Sequence, residues 1–454
     1  MKRTAIVGDS WAGIAVALNL SLAGWKPVVL AQGTRLCSEW PCSVPFVVSG
    51  GDTYTLDLLE ELGLLETVRW GNGVMLSVPP RPGQTCSAGR WPAPFHLLRP
   101  IRQWADLSTD ARLSVARVFW MVAKMNAADV LGVSGQSMRE FLADQRQPKE
   151  AFTSVWEPLL RAGTGVESDR VSAVVGVSFL KRSLLRSRWS VTLGVCYGNV
   201  PKAMLNRLKA VGAEVHFKAG VAGIVFDGVR VGGVVTSSGI VHAGGVVSAV
   251  APSMLQTLAS IPMQRADARL RQLSNFTRVD RLDVLLRFSE DSAAFRFGKT
   301  APDFLVTPMG PVDRFVRVGN DEVHAVMLAP GELVDREDEA IVTVAVEALA
   351  RAVPAARGLV PIGSRVLRDL GATCAPSVDV EVMRPSSRAS VQHGSGGVGI
   401  LNLALAGEFC ATTLPPGREG AIRSGYDAAA AISGFERPVT PIPHGWLAKR
   451  LRLA

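Results

Sequence analysis

The sequence has few of the features that mark secreted, metal-binding or membrane-spanning proteins. Its 454 residues include only six cysteines, and these do not form two pairs at the spacing of a zinc site or a disulfide framework. The six histidines share no ligand spacing either, so we predict no metal site. No apolar run approaches the roughly 18 residues of a membrane-spanning helix, and no secretory signal segment is recognisable. These shortages favour reduced thiols and a cytoplasmic protein.

Charged residues make up only 20% of the chain, against 48% hydrophobic residues, which is enough for a large core. The net charge is +9, yet no nucleic-acid-binding module is visible, so no nucleic-acid partner is predicted. Basic residues are spread out except in 446–453, where they are mixed with apolar ones. That segment is compatible with peripheral contact at the inner face of a membrane, and equally with an ordinary surface tail. The oligomeric state is left open.

The first thirty-one residues predict a nucleotide-binding unit. Thr4 to Val7 is typical of a short buried strand, Gly8 to Gly13 of a tight turn, and Ile14 to Ala23 of an apolar helix. A second strand is predicted over 27–31. A strand, a glycine-containing turn, a helix and a strand in this order place the pyrophosphate of a dinucleotide at the helix N-terminus.

The glycine fingerprint of this unit is imperfect. Gly8 permits the sharp turn, and Gly13 permits close packing of the helix on the strand. Trp11 and Ala12 stand between the middle position of the motif, residue 10, and Gly13. The middle glycine is replaced by Ser10, whose hydroxyl is able to donate to a phosphate. The acidic residue expected at the end of the second strand is replaced by Gln32, which lacks the charge that strengthens a bond to ribose.

The remaining pattern predicts an α/β, Rossmann-like three-layer fold with an inserted, discontinuous substrate domain. A mostly helical stretch is followed by a return of strand patterns, then by strands near 282–288, 325–328 and 364–370, and a long helix near 339–352. The predicted segments are a nucleotide-binding domain over 1–90, 195–265 and 385–436, a substrate domain over 91–194 and 266–384, and a tail over 437–454.

Two late motifs carry a resemblance to a known family. Residues 402–408 form an apolar strand ending in Ala-Gly-Glu, and residues 415–425 contain Glu-Gly-Ala-x-x-Ser-Gly. This order is similar to the flavin amine oxidase and phytoene desaturase superfamily, and it implies FAD as the cofactor. The resemblance implies that Gly407 and Glu408 lie at the flavin ribitol, and that the amides of Gly420 and Ala421 face the pyrimidine ring at a positive helix end.

The same resemblance covers two further segments. Residues 219–224 look like the strand whose valine, here Val221, contacts adenine through its backbone. Residues 246–252, which include Ala249, look like the return strand. Gly33 and Arg35 stand where the family has its second phosphate-contacting loop. That loop usually contains two glycines and an arginine, whereas this chain has Glu39 at the arginine position, which favours weakened or rearranged binding of FAD.

Within the superfamily the chain most resembles the hydroxysqualene dehydroxylase branch, in residues 8–13, 97–125, 137–142 and 155–160. That branch implies a long isoprenoid hydrocarbon as substrate and hydride delivery to an allylic cation as hydroxyl departs. Carotenoid-type desaturation and a non-catalytic paralogue that binds a partner or a lipid are the alternatives. Trp156 and residues 119–121 are compatible with a core or with the lining of a tunnel. No catalytic residue is assigned.

Overall fold

The structure is a computed structural model. It describes residues 2–37, 45–71, 74–78, 81–86, 89–104, 107–289, 304–306, 310–318, 321–353, 356–388, 399–439 and 450. Glu39 and most of the C-terminal tail, including residues 446–449 and 451–453 of its basic and apolar segment, lie outside these ranges. Among the described residues, no helix has the length and apolar character needed to cross a bilayer.

Strands and helices both occur throughout the described residues, often in runs of one type. The strands are β1 (Arg3–Val7), β2 (Lys26–Leu30), β3 (Phe46–Ser49), β4 (Val68–Trp70), β5 (Val74–Val78), β6 (Arg81–Cys86), β7 (Leu193–Cys196), β8 (Glu214–His216), β9 (Gly223–Phe226), β10 (Val231–Thr236), β11 (Gly239–His242), β12 (Gly245–Ser248), β13 (Arg278–Arg287), β14 (Phe304–Val306), β15 (Arg314–Arg317), β16 (Glu322–Leu328), β17 (Gly363–Cys374) and β18 (Leu403–Leu405).

The helices are α1 (Trp11–Leu22), α2 (Thr53–Glu61), α3 (Leu98–Gln103), α4 (Thr109–Lys124), α5 (Ala127–Gly132), α6 (Met138–Asp144), α7 (Lys149–Ala151), α8 (Glu157–Thr164), α9 (Ala173–Leu180), α10 (Val200–Ala210), α11 (Pro252–Leu258), α12 (Ile261–Ala266), α13 (Ala268–Arg271), α14 (Asp338–Ala352), α15 (Val378–Met383) and α16 (Arg418–Ser433).

A five-stranded parallel sheet gathers distant parts of the chain. Its order is β18-β12-β1-β2-β8, so β1 lies at its centre between β12 and β2. The apolar runs of β1, β2 and β12 are buried on both faces, as expected of a parallel sheet covered by helices. The predicted strand–turn–helix–strand unit and the predicted Rossmann-like α/β class are therefore confirmed.

Helix α1 is packed on nearly every side because it lies between this sheet and α16. Residues 12–20 of α1 are all buried. At its contact with α16, a Cβ on Gly425 would lie 2.6 Å from the carbonyl oxygen of Ala12. Only glycine allows the two helices to approach this closely. The first and last helices of the chain are thus held against each other.

A seven-stranded sheet, in the order β17-β13-β16-β15-β14-β5-β6, forms the second layer system. Side chains alternate between the faces of its strands. On β13, Leu282, Val284 and Leu286 pack against α14 in an apolar core. By this alternation Arg281 and Asp283 lie on the opposite face of the sheet. The predicted strands near 282–288, 325–328 and 364–370 and the predicted helix near 339–352 are present in this layer.

The helices of 91–194 enclose a separate apolar core. Trp156 is fully buried there and packs edge-on against Phe119, with ring centroids 5.1 Å apart. Of the two interpretations of these aromatic residues, the structure therefore supports the core. The domain boundaries remain predictions; strands β5 and β6, which fall within 1–90, join the same sheet as strands of 266–384 through the pairing of β5 with β14.

The close contact between α1 and α16 generates a prediction. We expect Gly425→Ala to lower the free energy of unfolding by ~1–3 kcal/mol, because its Cβ overlaps the backbone of α1. Denaturant unfolding measures this loss. The matched control is Gly132→Ala at the end of α5, where no atom lies within 4 Å of the added Cβ. Equal stabilities of the two variants would contradict the packing argument.

Candidate functional site

A cavity of about 560 Å³ lies between the two sheets. On one side it meets the carboxyl ends of β1, β12 and β18, which is where open α/β sheets bind ligands. On the other side it meets the face of the seven-stranded sheet that carries Arg281. The N-terminal ends of α1 and α16 border it through Trp11 and Arg418. Among the described residues of 91–194, Gly163, Thr164 and Arg182 reach the cavity.

The predicted cofactor residues fall into two groups by position. Those that line the cavity are Gly8, Ser10, Trp11, Gln32, Val221, Ala249, Gly407, Glu408 and Ala421. Those that lie behind or beside its wall are Ala12, Gly13, Gly33, Arg35 and Gly420. Ala12 and Gly13 are buried in the first turn of α1, and Arg35 is exposed at the surface. The roles of all these residues remain predictions.

The turn after β1 is held by its own contacts. Gly8 has a φ of +104°, and a Cβ there would lie 2.8 Å from the carbonyl oxygen of Ala249. The hydroxyl of Ser10 donates to that same oxygen at 2.9 Å and caps α1 at the amide of Gly13. The hydroxyl hydrogen is therefore used within the protein in this structure, and its donation to a phosphate remains a prediction.

Asp9 is a lining residue that the motif analysis missed. Its carboxylate accepts a hydrogen bond from the backbone amide of Cys37, which ties the loop after β2 to the turn after β1. Burial raises the pKa of Asp9, and the Cys37 amide offsets part of that rise. The sequence signal was present as the acidic residue inside the glycine turn. A carboxylate here supplies negative charge where a pyrophosphate would be expected.

Glu408 is oriented by the end of β17. Its carboxylate accepts from the Thr373 hydroxyl at 2.7 Å and from the Cys374 amide at 2.9 Å, and the Arg278 guanidinium lies 4.0 Å away. Burial raises the pKa of Glu408, an effect that Thr373 and Arg278 only partly offset. The carboxylate is thus held against the seven-stranded sheet while its residue lines the cavity.

Arg384 positions the loop that carries Glu408. Its buried guanidinium donates to the carbonyl oxygens of Glu408 at 2.9 Å, Cys410 at 2.6 Å and Leu414 at 2.8 Å. It also forms an ion pair with Glu381 at 2.9 Å. Nothing in the local sequence signals this role, because the acceptors are backbone atoms up to 30 residues further along the chain.

Glu419, at the start of α16, caps another helix. Its carboxylate accepts from the amides of Tyr54 at 3.0 Å and Thr55 at 2.8 Å, in the first turn of α2. Burial raises the pKa of Glu419 to about 7, and the nearby Asp52 adds to the rise. Asp52 is itself paired with Arg182. The predicted flavin end is therefore fastened to α2 through a buried carboxyl group.

The wall opposite the parallel sheet is polar. Arg281 lies 2.7 Å from Asp283, and the Nε2 atom of His324 lies 2.7 Å from the same carboxylate. Burial alone would raise the pKa of Asp283, but Arg281 and His324 outweigh it and hold that pKa well below its usual range. Arg314 and Asp369 also line this wall. We call Arg281, Asp283, Arg314, His324 and Asp369 the polar wall.

Two observations favour a dinucleotide in the cavity, and the negative charge of Asp9 opposes it. Two helices of 12 and 16 residues begin at its edge, and helix N-termini favour anions and hydrogen-bond acceptors. The Nε1 atom of Trp11 is buried without a hydrogen-bond partner in a residue that lines the cavity, so a donor is available there.

Comparisons with known proteins agree with this geometry. Residues 45–433 match the family model described as flavin containing amine oxidoreductase. No curated protein matches the chain by sequence.

Several solved structures share the fold. A putative protoporphyrinogen oxidase from Exiguobacterium sp. 255-15 has 16% identity and a TM-score of 0.65, over 95% of this chain and 98% of that one. An oxidoreductase from Methanosarcina mazei has 13% identity and a TM-score of 0.69, over 95% and 100%. Cyclohexylamine oxidase from Brevibacterium oxydans has 14% identity and a TM-score of 0.65, over 95% and 99%. At these identities the likeness establishes the fold.

The buried carboxyl of Glu419 generates a pH prediction. Because its folded pKa of about 7 lies above its ordinary value of 4.5, the folded chain keeps a proton that the unfolded chain releases first. Stability from this group therefore falls as the pH rises from about 4.5 to about 7, by at most ~1.4 kcal/mol per pH unit. Glu419→Gln should remove this fall.

Denaturant unfolding at pH 5 and pH 7.5 measures the difference between the wild type and Glu419→Gln. The matched control is Glu60→Gln, at an exposed position of α2. We expect the control to keep the wild-type dependence on pH. An unchanged dependence in Glu419→Gln would show that the Glu419 carboxyl does not titrate in this window.

Proposed function

The chain belongs to the flavin-containing amine oxidoreductase family and is an FAD-dependent oxidoreductase; we propose that its substrate reacts in the cavity beside the polar wall. FAD, when bound, supplies a two-electron acceptor or donor. Its proposed contacts are the lining residues Gly8, Trp11, Glu408 and Ala421, with Val221 on the adenosine side. The chain's own residues then have to bind the substrate, orient it and handle its proton.

The observation that carries this proposal is the His324–Asp283 pair. Oxidation of a carbon that bears an amine or a hydroxyl releases a proton as well as a hydride, so a base is needed beside the reacting group. His324 lines the cavity and is almost completely buried. Its Nε2 atom lies within hydrogen-bond distance of an ionised carboxylate, Asp283.

The hydrogen bond to Asp283 fixes the role of each ring nitrogen. An ionised carboxylate accepts hydrogen bonds, so Nε2 carries the proton and Nδ1 keeps the lone pair of the neutral ring. Nδ1 is then the atom able to take a proton from the substrate. Asp283 stabilises the charged ring that results, and Arg281 keeps Asp283 ionised. The same pair is able to return a proton in the reverse direction.

A second candidate is the hydroxysqualene dehydroxylase reaction. The sequence resemblance in residues 8–13 and 155–160 supports it, and a departing hydroxyl needs a proton donor, which His324 in its charged form would supply. The closed core around Trp156 and the charges of the polar wall are less favourable to a long hydrocarbon. The geometry supports a polar reacting group better.

Substrate assays with the flavin-loaded protein test the proposal. The panel consists of cyclohexylamine, putrescine, benzylamine, protoporphyrinogen, phytoene and hydroxysqualene, the last with reduced flavin. We expect turnover of at least one amine or other polar compound. Turnover of hydroxysqualene alone would favour the second candidate, and failure of the whole panel would contradict both.

The proton-transfer role of His324 gives a separate prediction. With any compound that the wild type turns over, His324→Gln should lower kcat by about 10²- to 10⁴-fold, the range for loss of a general base. His242→Gln, at an exposed histidine, is the matched control. A His324→Gln variant with wild-type kcat would remove His324 from the reaction.

A further inference from the structure

We infer that Arg314, with Arg281 beside it, binds a carboxylate of the substrate. The inference rests on the proposed function, because it names the chemical class of the compound that reacts beside the polar wall. It concerns a part of the cavity distinct from the residues proposed to hold FAD. Three features of Arg314 support it: its position, its lack of a partner and the shape of its charged group.

The position of Arg314 follows from strand register. Val326 of β16 is paired with Asp283 of β13 on one side and with Arg314 of β15 on the other. Residues paired across a sheet project from the same face, so Arg314 lies on the face that carries Asp283 and His324. Val326 separates them, and both Val326 and Arg314 line the cavity.

The two carboxylates that act on Arg314 are paired with other groups. The Asp283 carboxylate is already shared by Arg281 and His324, each at 2.7 Å. Asp313, the sequence neighbour of Arg314, accepts from Arg161 at 3.3 Å and from the Leu328 amide instead.

Among the described residues, no carboxylate lies within 4.0 Å of the Arg314 guanidinium, and its Nε atom is buried without a hydrogen-bond partner. Burial lowers the pKa of Arg314 to about 10, and the charge of Arg281 adds to that effect, so the group is still a cation at neutral pH. The charges of Asp313 and Asp283 offset part of this effect but form no ion pair with Arg314, so a ligand carboxylate would supply its direct partner.

The guanidinium group selects the ligand class. Its planar fork of N–H donors matches the two oxygens of a carboxylate and binds them in parallel. Arg281, on the same wall, adds positive charge to the site even while it is paired with Asp283. Arg314 and His324 lie on the same face of the neighbouring strands β15 and β16, so a carboxylate bound here would lie on the wall that carries the proposed base.

Ligand titration of the flavin-loaded protein tests this site. The probes are benzoate and the matched neutral amide, benzamide, followed by the change in the visible flavin spectrum and by the shift in Tm. We expect the wild type to bind benzoate at least tenfold more tightly than benzamide. Arg314→Gln should abolish that preference. Arg314→Lys keeps the positive charge but loses the planar fork of donors, so it should retain only part of the preference for benzoate.

The matched control is Arg365→Gln, at an exposed arginine of β17, which should behave as the wild type. Equal binding of both probes by the wild type, or a preference that survives in Arg314→Gln, would overturn the inference. If Arg314→Gln does not fold, Arg314→Lys and Arg314→Met provide the same comparison. Tighter binding of phenylphosphonate than of benzoate would also overturn it, because the site would then select phosphoryl groups.

Failure of the inference is distinguishable from failure of the proposed function. Flavin-loaded protein that turns over an amine but does not prefer benzoate contradicts the carboxylate site alone. Protein that cannot be loaded with FAD contradicts the proposed function. In that case a benzoate-dependent rise in Tm that disappears in Arg314→Gln would still support the carboxylate site.

Discussion

The contact between the first helix and the last is the constraint on which the cavity depends. Helix α1 follows β1 and helix α16 follows β18, and these strands are separated in the sheet only by β12. Gly425 lets α16 lie directly against the backbone of α1 at Ala12. Residues about 400 positions apart in the chain therefore border one space, with two helix N-termini directed at it.

The two ends of that space are built differently. At the end near β1, the hydroxyl of Ser10 donates to the carbonyl oxygen of Ala249, and the carboxylate of Asp9 accepts from the amide of Cys37. At the other end, Arg384 fixes the loop that carries Glu408, and Glu419 fastens α16 to α2. The departures from the glycine fingerprint are thus compensated locally, and they leave the cavity open between the two sheets.

The sequence predicted the structure best where the residues that interact are also close together in the chain. The N-terminal strand–turn–helix–strand unit and the late helix could be predicted because their glycines, apolar runs and spacing are local. The polar wall could not be predicted, because Asp283 and His324 are 41 residues apart in the chain and come together only when β13 pairs with β16. The role of Arg384 could not be predicted either, because its acceptors are backbone oxygens, which every residue type carries.

The direct test of this account is the flavin content of the purified protein. Absorption spectra before and after denaturation, with FAD added where the protein is purified without it, give the number of flavins bound per chain. The account predicts about one FAD per chain, with a rise in Tm when FAD is added to protein that lacks it. A colourless protein that added FAD neither colours nor stabilises would contradict it.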